Sequence, residues 1–495
     1  MRTVLHIVCF ILSGLTALAQ SPYNAEETAK LRKFLLQESA EPGVKNYQQL
    51  GIESMDNIEW GHVTGLTWNS RTLSLEVLDW GKKKLSGDMD FSGFRYLQRL
   101  YCNFNEIKSV DLTDAVSLRT IDFYINSLEA IDVTTSPGLS FLRLTNNNIK
   151  EIDLSNNPEL TFICCTGNKV ESLDFSNNTK LETVYCIANE LSYLNVQNCS
   201  KLKELLCSDN HLTELDISNK ERLFGFTCAR NNLLTLNVVN CPSLLSLDCE
   251  TNELDTLDLS GCTDLSSVKC DKNRLKAIYL TDCLSLEEFS CGQNLLDSLR
   301  LPESPSLHSL NCRNNNLDFH TLPPILPAYT EYIYYPQNDR IAEAVVDSVD
   351  FSYYYELDGI TSKYDWRDGV RWLHPEEKGG GIFAFDESYV GKKLLCGIEN
   401  NMFPTLFFRY YVTMKSRDDV ANRPLPDTSS AASVYADEGF VHVVTKSPAG
   451  VVIYALNGAL VYSGNVGEGR TDIPLERGMY VVTICGGAVC KVSVR

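Results

Sequence analysis

The sequence predicts a solenoid of 21-residue repeats with one long parallel sheet, followed by two small all-β, sandwich-like domains. Three observations carry this. Asparagine recurs eleven times at a strict spacing of 21 residues: Asn105, Asn126, Asn147, Asn168, Asn189, Asn210, Asn231, Asn252, Asn273, Asn294 and Asn315. Three residues before each lies a core-type residue: Cys102, Phe123 and Leu144, then cysteine eight times running from Cys165 to Cys312. Beyond residue 327 the chain changes to short aromatic or β-branched runs between turn residues, the signature of antiparallel sheets. A fixed period of this length marks units that bury their cores only by stacking on one another.

Residues 1–19 read as an export signal: Arg2 is the positive end, Val4 to Leu15 is largely apolar, and Ala17-Leu18-Ala19 is a small-residue cleavage site. The apolar run is too short to span a bilayer, and no later stretch is long enough. A secreted or outer-surface location follows, without a transmembrane segment. The charge balance of 44 − 64 = −20 argues against nucleic acid, whose phosphates need clustered Lys and Arg.

Residues 20–60 read as an N-terminal helical cap on the open end of the solenoid. Asn24 is the expected N-cap and Glu27 stands at the capping-box position. Leu31, Phe34 and Leu35 then share a helical face. The solenoid itself spans 61–327, with 61–96 as an irregular lead-in whose Trp68 and Trp80 thicken the core. The regular unit is clearest in Leu202 to Leu212, LKELLCSDNHL. Leu205 and Cys207 point inward, Leu206 and Ser208 outward, and Leu212, Leu215 and Ile217 complete the core on the return path. Asn210 ends the strand, and its amide suits bonds to its own turn and the next one. Repeats end at Leu317, and Thr321 to Pro327 (TLPPILP) cannot extend the ladder because proline lacks an N–H.

Eighteen cysteines in an exported chain would ordinarily suggest disulfides. Cysteines one repeat apart lie on neighbouring strands about 4.8 Å apart. Their side chains point the same way, and strand pairing resists the Cβ approach of about 3.8 Å that a bridge prefers. Free, buried thiols are therefore expected. With no CxxC pair and seven scattered histidines, metal binding is not expected. A second column, Cys199, Cys241, Cys262 and Cys283, interrupted by Lys220, reads as small fillers of the connecting turns.

From Leu97 to Leu317 this pattern resembles the leucine-rich repeat family, in particular the cysteine-ladder repeats of internalin-like surface proteins. The resemblance implies an α/β-type curved solenoid with its parallel sheet on the concave face, and non-catalytic recognition of protein or glycan there.

Residues 328–416 read as an Ig-like β-sandwich with Trp366 in its core, 417–432 as a polar linker, and 433–495 as a further β-sandwich. The last resembles the C-terminal sorting domain of Bacteroidetes type IX secretion cargo. The matching stretches are Val452-Ile453-Tyr454 with Asn457-Gly458, Gly478 to Val482, and Lys491 to Val494. The resemblance implies a sorting or anchoring role; a plain β-module is the alternative. Cys485 and Cys490 flank Gly486-Gly487 across a hairpin, as a local disulfide or as two small apolar residues on one face.

The chain carries no enzyme signature: it has no GxSxG, HExxH or Walker loop, and Asp88-Met89-Asp90 is too short for a calcium loop. No catalysis and no cofactor are expected. The informative residues are the outward ones on the strands. In the first five repeats they are Arg99, Tyr101, Phe104, Tyr124, Phe141, Arg143, Phe162, Tyr185 and Ile187; later they become Asp248, Glu250, Lys269, Asp271 and Glu288. Tyr, Phe and Arg in a cluster are what interface hot spots use, although aromatics also cover one another across strands. The sequence thus points to a monomeric recognition protein that binds a protein ligand through the aromatic half of the sheet. The alternatives are glycan binding, or a rigid spacer whose β-domains adhere.

Overall fold

The computed structural model describes residues 22–416 except residue 57, together with the strands between residues 432 and 494. The expected export signal, most of the linker and the Cys485–Cys490 pair lie outside the described residues. Two compact units result. The first holds residues up to 340 with 352–367 and 395–411; the second holds 341–351, 368–394 and 412–495.

The first unit is the solenoid. Its fourteen-stranded sheet takes one strand from each turn in chain order, from Leu66–Trp68 to Glu331–Ile333. The first pair, Leu66–Trp68 and Leu75–Asp79, is antiparallel. The later neighbours are parallel, in a register that repeats turn by turn: Val184↔Leu205, Leu205↔Phe226, Phe226↔Leu247, Leu247↔Val268. The inward positions are fully buried as the pattern predicts, including Cys102, Phe123, Leu144, Leu205 and Cys207. The return path adds short parallel pairs, such as Glu214–Asp216 with Thr235–Asn237.

Among the described residues, α-helix is confined to the N-terminal part. Asn24 caps Ala25–Leu35 by accepting the N–H groups of Glu26 and Glu27, and Leu31, Phe34 and Leu35 are buried. Glu27 does not close a capping box. It turns inward, is 3% exposed, and accepts the Leu75 N–H at 2.7 Å, so it ties the helix to the first strands. Burial, its largest influence, raises the pKa of that carboxyl. Trp80 is fully buried, whereas Trp68 is half-buried against Tyr23, ring centroids 4.5 Å apart.

The asparagine column is a hydrogen-bond ladder that runs backward along the chain. Asn210 Nδ2 donates to the carbonyls of Cys207 in its own turn and Cys186 in the preceding turn, both at 3.0 Å, while its Oδ1 accepts the Leu191 N–H at 3.0 Å. The second turn reached is therefore the one before, not the one after. The same geometry recurs from Asn105 to Asn315. The residue before each asparagine lies in the left-handed region, with φ from +53° to +69°, and only Gly167 among these eleven is glycine. Such a backbone costs an L-residue about 1–2 kcal/mol, and the hydrogen bonds of each rung offset it.

Two expectations about the ladder's margins are overturned. The proline run does not end the sheet, because the chain returns and adds Glu331–Ile333 parallel to Ser309–Asn311. Gln337 then supplies a last rung, donating to Cys312 O at 3.0 Å and accepting the Asn315 N–H at 3.1 Å. The turn column is also more than filler. Ser136, Asn157, Asn178, Cys199, Lys220, Cys241 and Cys262 each direct a donor at a carbonyl of the preceding turn. Lys220 belongs to the series: it is 5% exposed and its Nζ donates to Gln197 O at 2.8 Å. Residue types as different as Ser, Asn, Cys and Lys serve because the position asks only for a donor.

All fifteen described cysteines are free and buried. Burial is the leading cause of the raised pKa of Cys199 and Cys262, pushed up to about 11, and of Cys283 and Cys312, pushed up to about 12. Thiols held this far from ionising are poor nucleophiles. Alkylation of native protein is expected to leave these fifteen unmodified, and alkylation after denaturation without reductant to modify all of them. Peptide mass spectrometry distinguishes these outcomes, and ladder cysteines protected in the unreduced, denatured protein would reveal bridges.

The solenoid's last turns meet a compact polar and aromatic cluster within the same unit. Arg340 donates to the hydroxyls of Tyr354 (2.8 Å) and Tyr410 (2.9 Å) and pairs with Asp318 at 3.5 Å, while the two hydroxyls lie 2.6 Å apart. Phe319 packs against Phe403 and Phe408. Trp366, 2% exposed, is buried as expected, on a strand antiparallel to Lys393–Glu399.

In the second unit, Val349–Asp350, Ile382–Ala384 and Glu376–Gly379 form a small antiparallel sheet. Residues 432–494 form two antiparallel sheets of three and four strands. Their core is Val441, Val443, Val451, Ile453, Val466, Ile473, Tyr480 and Val482.

Candidate recognition surface

The fixed register turns the outward residues into columns across the sheet. One column runs Arg99, Thr120, Phe141, Phe162, Thr183, Glu204; the next runs Tyr101, Asp122, Arg143, Cys164, Tyr185, Leu206. Tyr124 and Ile187 stand just beyond the strand ends, as does Phe104. Phe104 is not a strand residue: it occupies the left-handed position with φ +54° and is 41% exposed.

Two aromatic groups form from these residues. In the first, Phe104 meets Tyr124 edge-on at 4.9 Å, the Arg143 guanidinium lies 4.3 Å over the Tyr124 ring, and Lys82 Nζ lies 5.2 Å over Phe104. In the second, Phe141 and Phe162 stack in parallel at 4.5 Å, and Tyr185 meets Phe162 edge-on at 5.8 Å. The Tyr185 hydroxyl donates to Glu204. Burial, then that hydrogen bond, pushes the Tyr185 pKa up to about 12. Tyr101, Tyr124, Phe141, Arg143, Phe162, Tyr185 and Ile187 are half-buried, and Arg99 is exposed. The spacing of strands therefore brings the named side chains into contact in two sets, with Arg99, Tyr101 and Ile187 outside the ring contacts.

Four contributors escape the sequence reading. Asp122 is 7% exposed; it accepts the Tyr124 N–H at 3.0 Å and lies 3.8 Å from Arg143. Glu204 and Lys82 anchor the two ends of the aromatic row. Cys164, on the outward side, lies 2.8 Å from the Thr145 hydroxyl. The Asp122–Arg143 pair was findable: the residues are 21 apart, which places them side by side on neighbouring strands.

The later repeats are different in kind. Arg230 forks onto Asp209 (Nη2 to Oδ2 2.7 Å) and reaches Glu250 at 3.6 Å. Asp271 accepts from the Gly292 N–H and from Asn311. Here carboxylates are consumed in local networks, and no aromatic row forms among the described residues.

No family model and no curated protein matches the chain. Solved structures do. The functional domain of InlJ from Listeria monocytogenes, which includes a cysteine ladder, is 18% identical over 68% of this chain and 90% of that one, TM-score 0.41. The leucine-rich effector YopM from Yersinia pestis is 22% identical over 50% and 69%, TM-score 0.41. The ectodomain of the receptor kinase GASSHO1/SCHENGEN3 from Arabidopsis thaliana, solved in complex with CASPARIAN STRIP INTEGRITY FACTOR 2, is 18% identical over 64% and 48%, TM-score 0.43. By its own geometry of 21-residue turns, inward leucine and cysteine, and an asparagine ladder, the repeat region of this chain is a leucine-rich repeat solenoid.

Proposed function

We propose that the protein is an exported, surface-associated, non-catalytic recognition protein that binds a protein partner through the aromatic N-terminal half of the sheet. The observation that carries this reading is the aromatic row on the solvent side of the strands, Phe104, Tyr124, Phe141, Phe162 and Tyr185, held by ring contacts and by Arg143. Folding does not demand it: in the later repeats the same positions hold Gly225, Thr227, Ser246 and Ser267 on an equally regular sheet. Rigid, pre-ordered aromatic and Arg side chains lose little entropy on binding and supply most interface energy. Export is supported by the N-terminal segment, and surface retention by the sorting-like C-terminal strands.

A triple variant, Tyr124→Ser, Phe141→Ser and Tyr185→Ser, is expected to lose the ligands that the full chain captures on an array of surface proteins and glycans, with an unchanged melting curve. Equal capture by the folded variant would end this reading.

A further inference from the structure

We infer that the partner presents an extended polypeptide segment whose carboxylates lie to one side of a large apolar side chain, seated with its carboxylates on Arg99 and Arg119 and the apolar side chain against Phe141. This rests on the recognition surface proposed above and names the chemistry that surface selects.

The first observation is a set of cations beside the aromatic row. Arg99, Arg119 and Lys82 are exposed, and among the described residues none of the three has a carboxylate within ion-pair distance. Several other cations of the repeats are matched turn to turn: Arg143 with Asp122, Lys203 with Glu182, Arg230 with Asp209. Lys203 stands two residues before its strand's central leucine, as Arg119 stands before Ile121, yet only Lys203 has a carboxylate one turn away. The outward carboxylates on the two neighbouring strands are engaged elsewhere: Asp79 accepts the Gly81 N–H at 3.3 Å, and Asp122 accepts the Tyr124 N–H and lies 3.8 Å from Arg143.

The second observation is the order of residues across the strands. Arg99, Thr120 and Phe141 are successive register partners, so Arg99 and Phe141 stand two strands, about 10 Å, apart. The residue between them is the small Thr120. An extended peptide rises about 3.3 Å per residue and turns alternate side chains to the same face, so a carboxylate and an apolar side chain two or four positions apart would reach both.

The third is ring geometry. A saccharide packs its C–H face flat on an open aromatic face. Here Phe141 and Phe162 cover one face of each other, and Arg143 covers one face of Tyr124, which leaves fewer open faces for a saccharide. The positive ring edges suit carbonyl groups, and the rings suit apolar side chains, of a peptide. The later repeats, with outward Asp248, Glu250, Asp271 and Glu288, repel the same carboxylates and so restrict the segment to the N-terminal half.

A phage-displayed library of random twelve-residue peptides, panned on the full chain, tests this. Selected peptides are expected to carry Asp or Glu two or four positions from Phe, Leu or Met. Synthetic copies should bind the folded Arg99→Glu, Arg119→Glu variant about tenfold or more weakly, and copies with Lys in place of the acids should prefer that variant. Peptides that need Tyr124, Phe141 and Tyr185 but bind the charge-reversed pair as tightly as the parent would overturn the inference and leave the recognition surface standing. No enrichment, or equal binding to the triple serine variant, would remove the surface itself.

Discussion

Asn210→Ala is expected to destabilise the repeat region by about 3 kcal/mol, and Asn198→Ala by less than about 1 kcal/mol. The two asparagines sit in adjacent stretches of the solenoid and differ in what their loss exposes. Asn210 is 4% exposed, and its removal strands the Leu191 N–H inside the solenoid and takes one of two amide donors from each of the Cys186 and Cys207 carbonyls, which keep only Asn189 and Asn231. Each buried group left without a partner costs about 1–3 kcal/mol. The left-handed Asp209 before it, φ +58°, then loses the contacts that hold it in place. Asn198 makes one exposed bond to Ser176 O at 3.0 Å, and water replaces it. Because a solenoid unfolds by neighbouring units, hydrogen exchange is the sharper measurement: protection should fall around turns 186–210 in the first variant and remain in the second. Equal effects would show that the column is not a buried ladder.

Arg340→Ala is expected to cost about 3 kcal/mol, by leaving a largely buried carboxylate, Asp318, without its cation. The Asp318 side chain is 10% exposed and that of Arg340 20%, and the hydroxyls of Tyr354 and Tyr410 lose their shared donor at once. Arg409→Ala is the control: its bridge to Asp339, 2.7 Å, joins side chains 47% and 38% exposed, a class of pair worth less than about 1 kcal/mol. Faster exchange in the last turns, 291–337, is expected in the first variant alone. Unchanged exchange there would mean that the cluster does not hold the solenoid's end.

The repeat frame was legible because its signal is redundant: eleven copies of the asparagine and eight consecutive cysteines fix strand, register and interior at once. What escaped lies where the signal is carried by geometry rather than residue type. The left-handed position before each asparagine holds Phe104, Ile125, Thr251 and Gln293 among others, so no run of glycine marks it. The donor column of the turns holds Ser, Asn, Cys and Lys in succession and looks like noise to any reading by residue class. Gln337 stands 22 residues after Asn315, off the period and of another type, yet its longer amide reaches the same groups. At the recognition surface, the aromatic row was visible as outward residues, but their pairing into two sets depends on register and side-chain direction, as does the placement of Asp122 beneath Tyr124.

The backward reach of each asparagine gives the chain a direction in time. A turn becomes fully bonded only when the following turn arrives, since the Leu191 N–H waits for Asn210 and Cys186 O gains its second amide donor there. A chain emerging N-terminus first, from a ribosome or through a secretion pore, closes each turn as the next appears. Until Gln337 emerges, its leading edge always carries one unfinished turn. Fragments cut from the two ends are therefore not equivalent. A cut on the N-terminal side takes acceptors from the next turn, Cys186 O from Asn210 and Leu191 O from the His211 N–H, whereas a cut on the C-terminal side takes the asparagine that closes the turn before it, Asn210 from the Leu191 N–H.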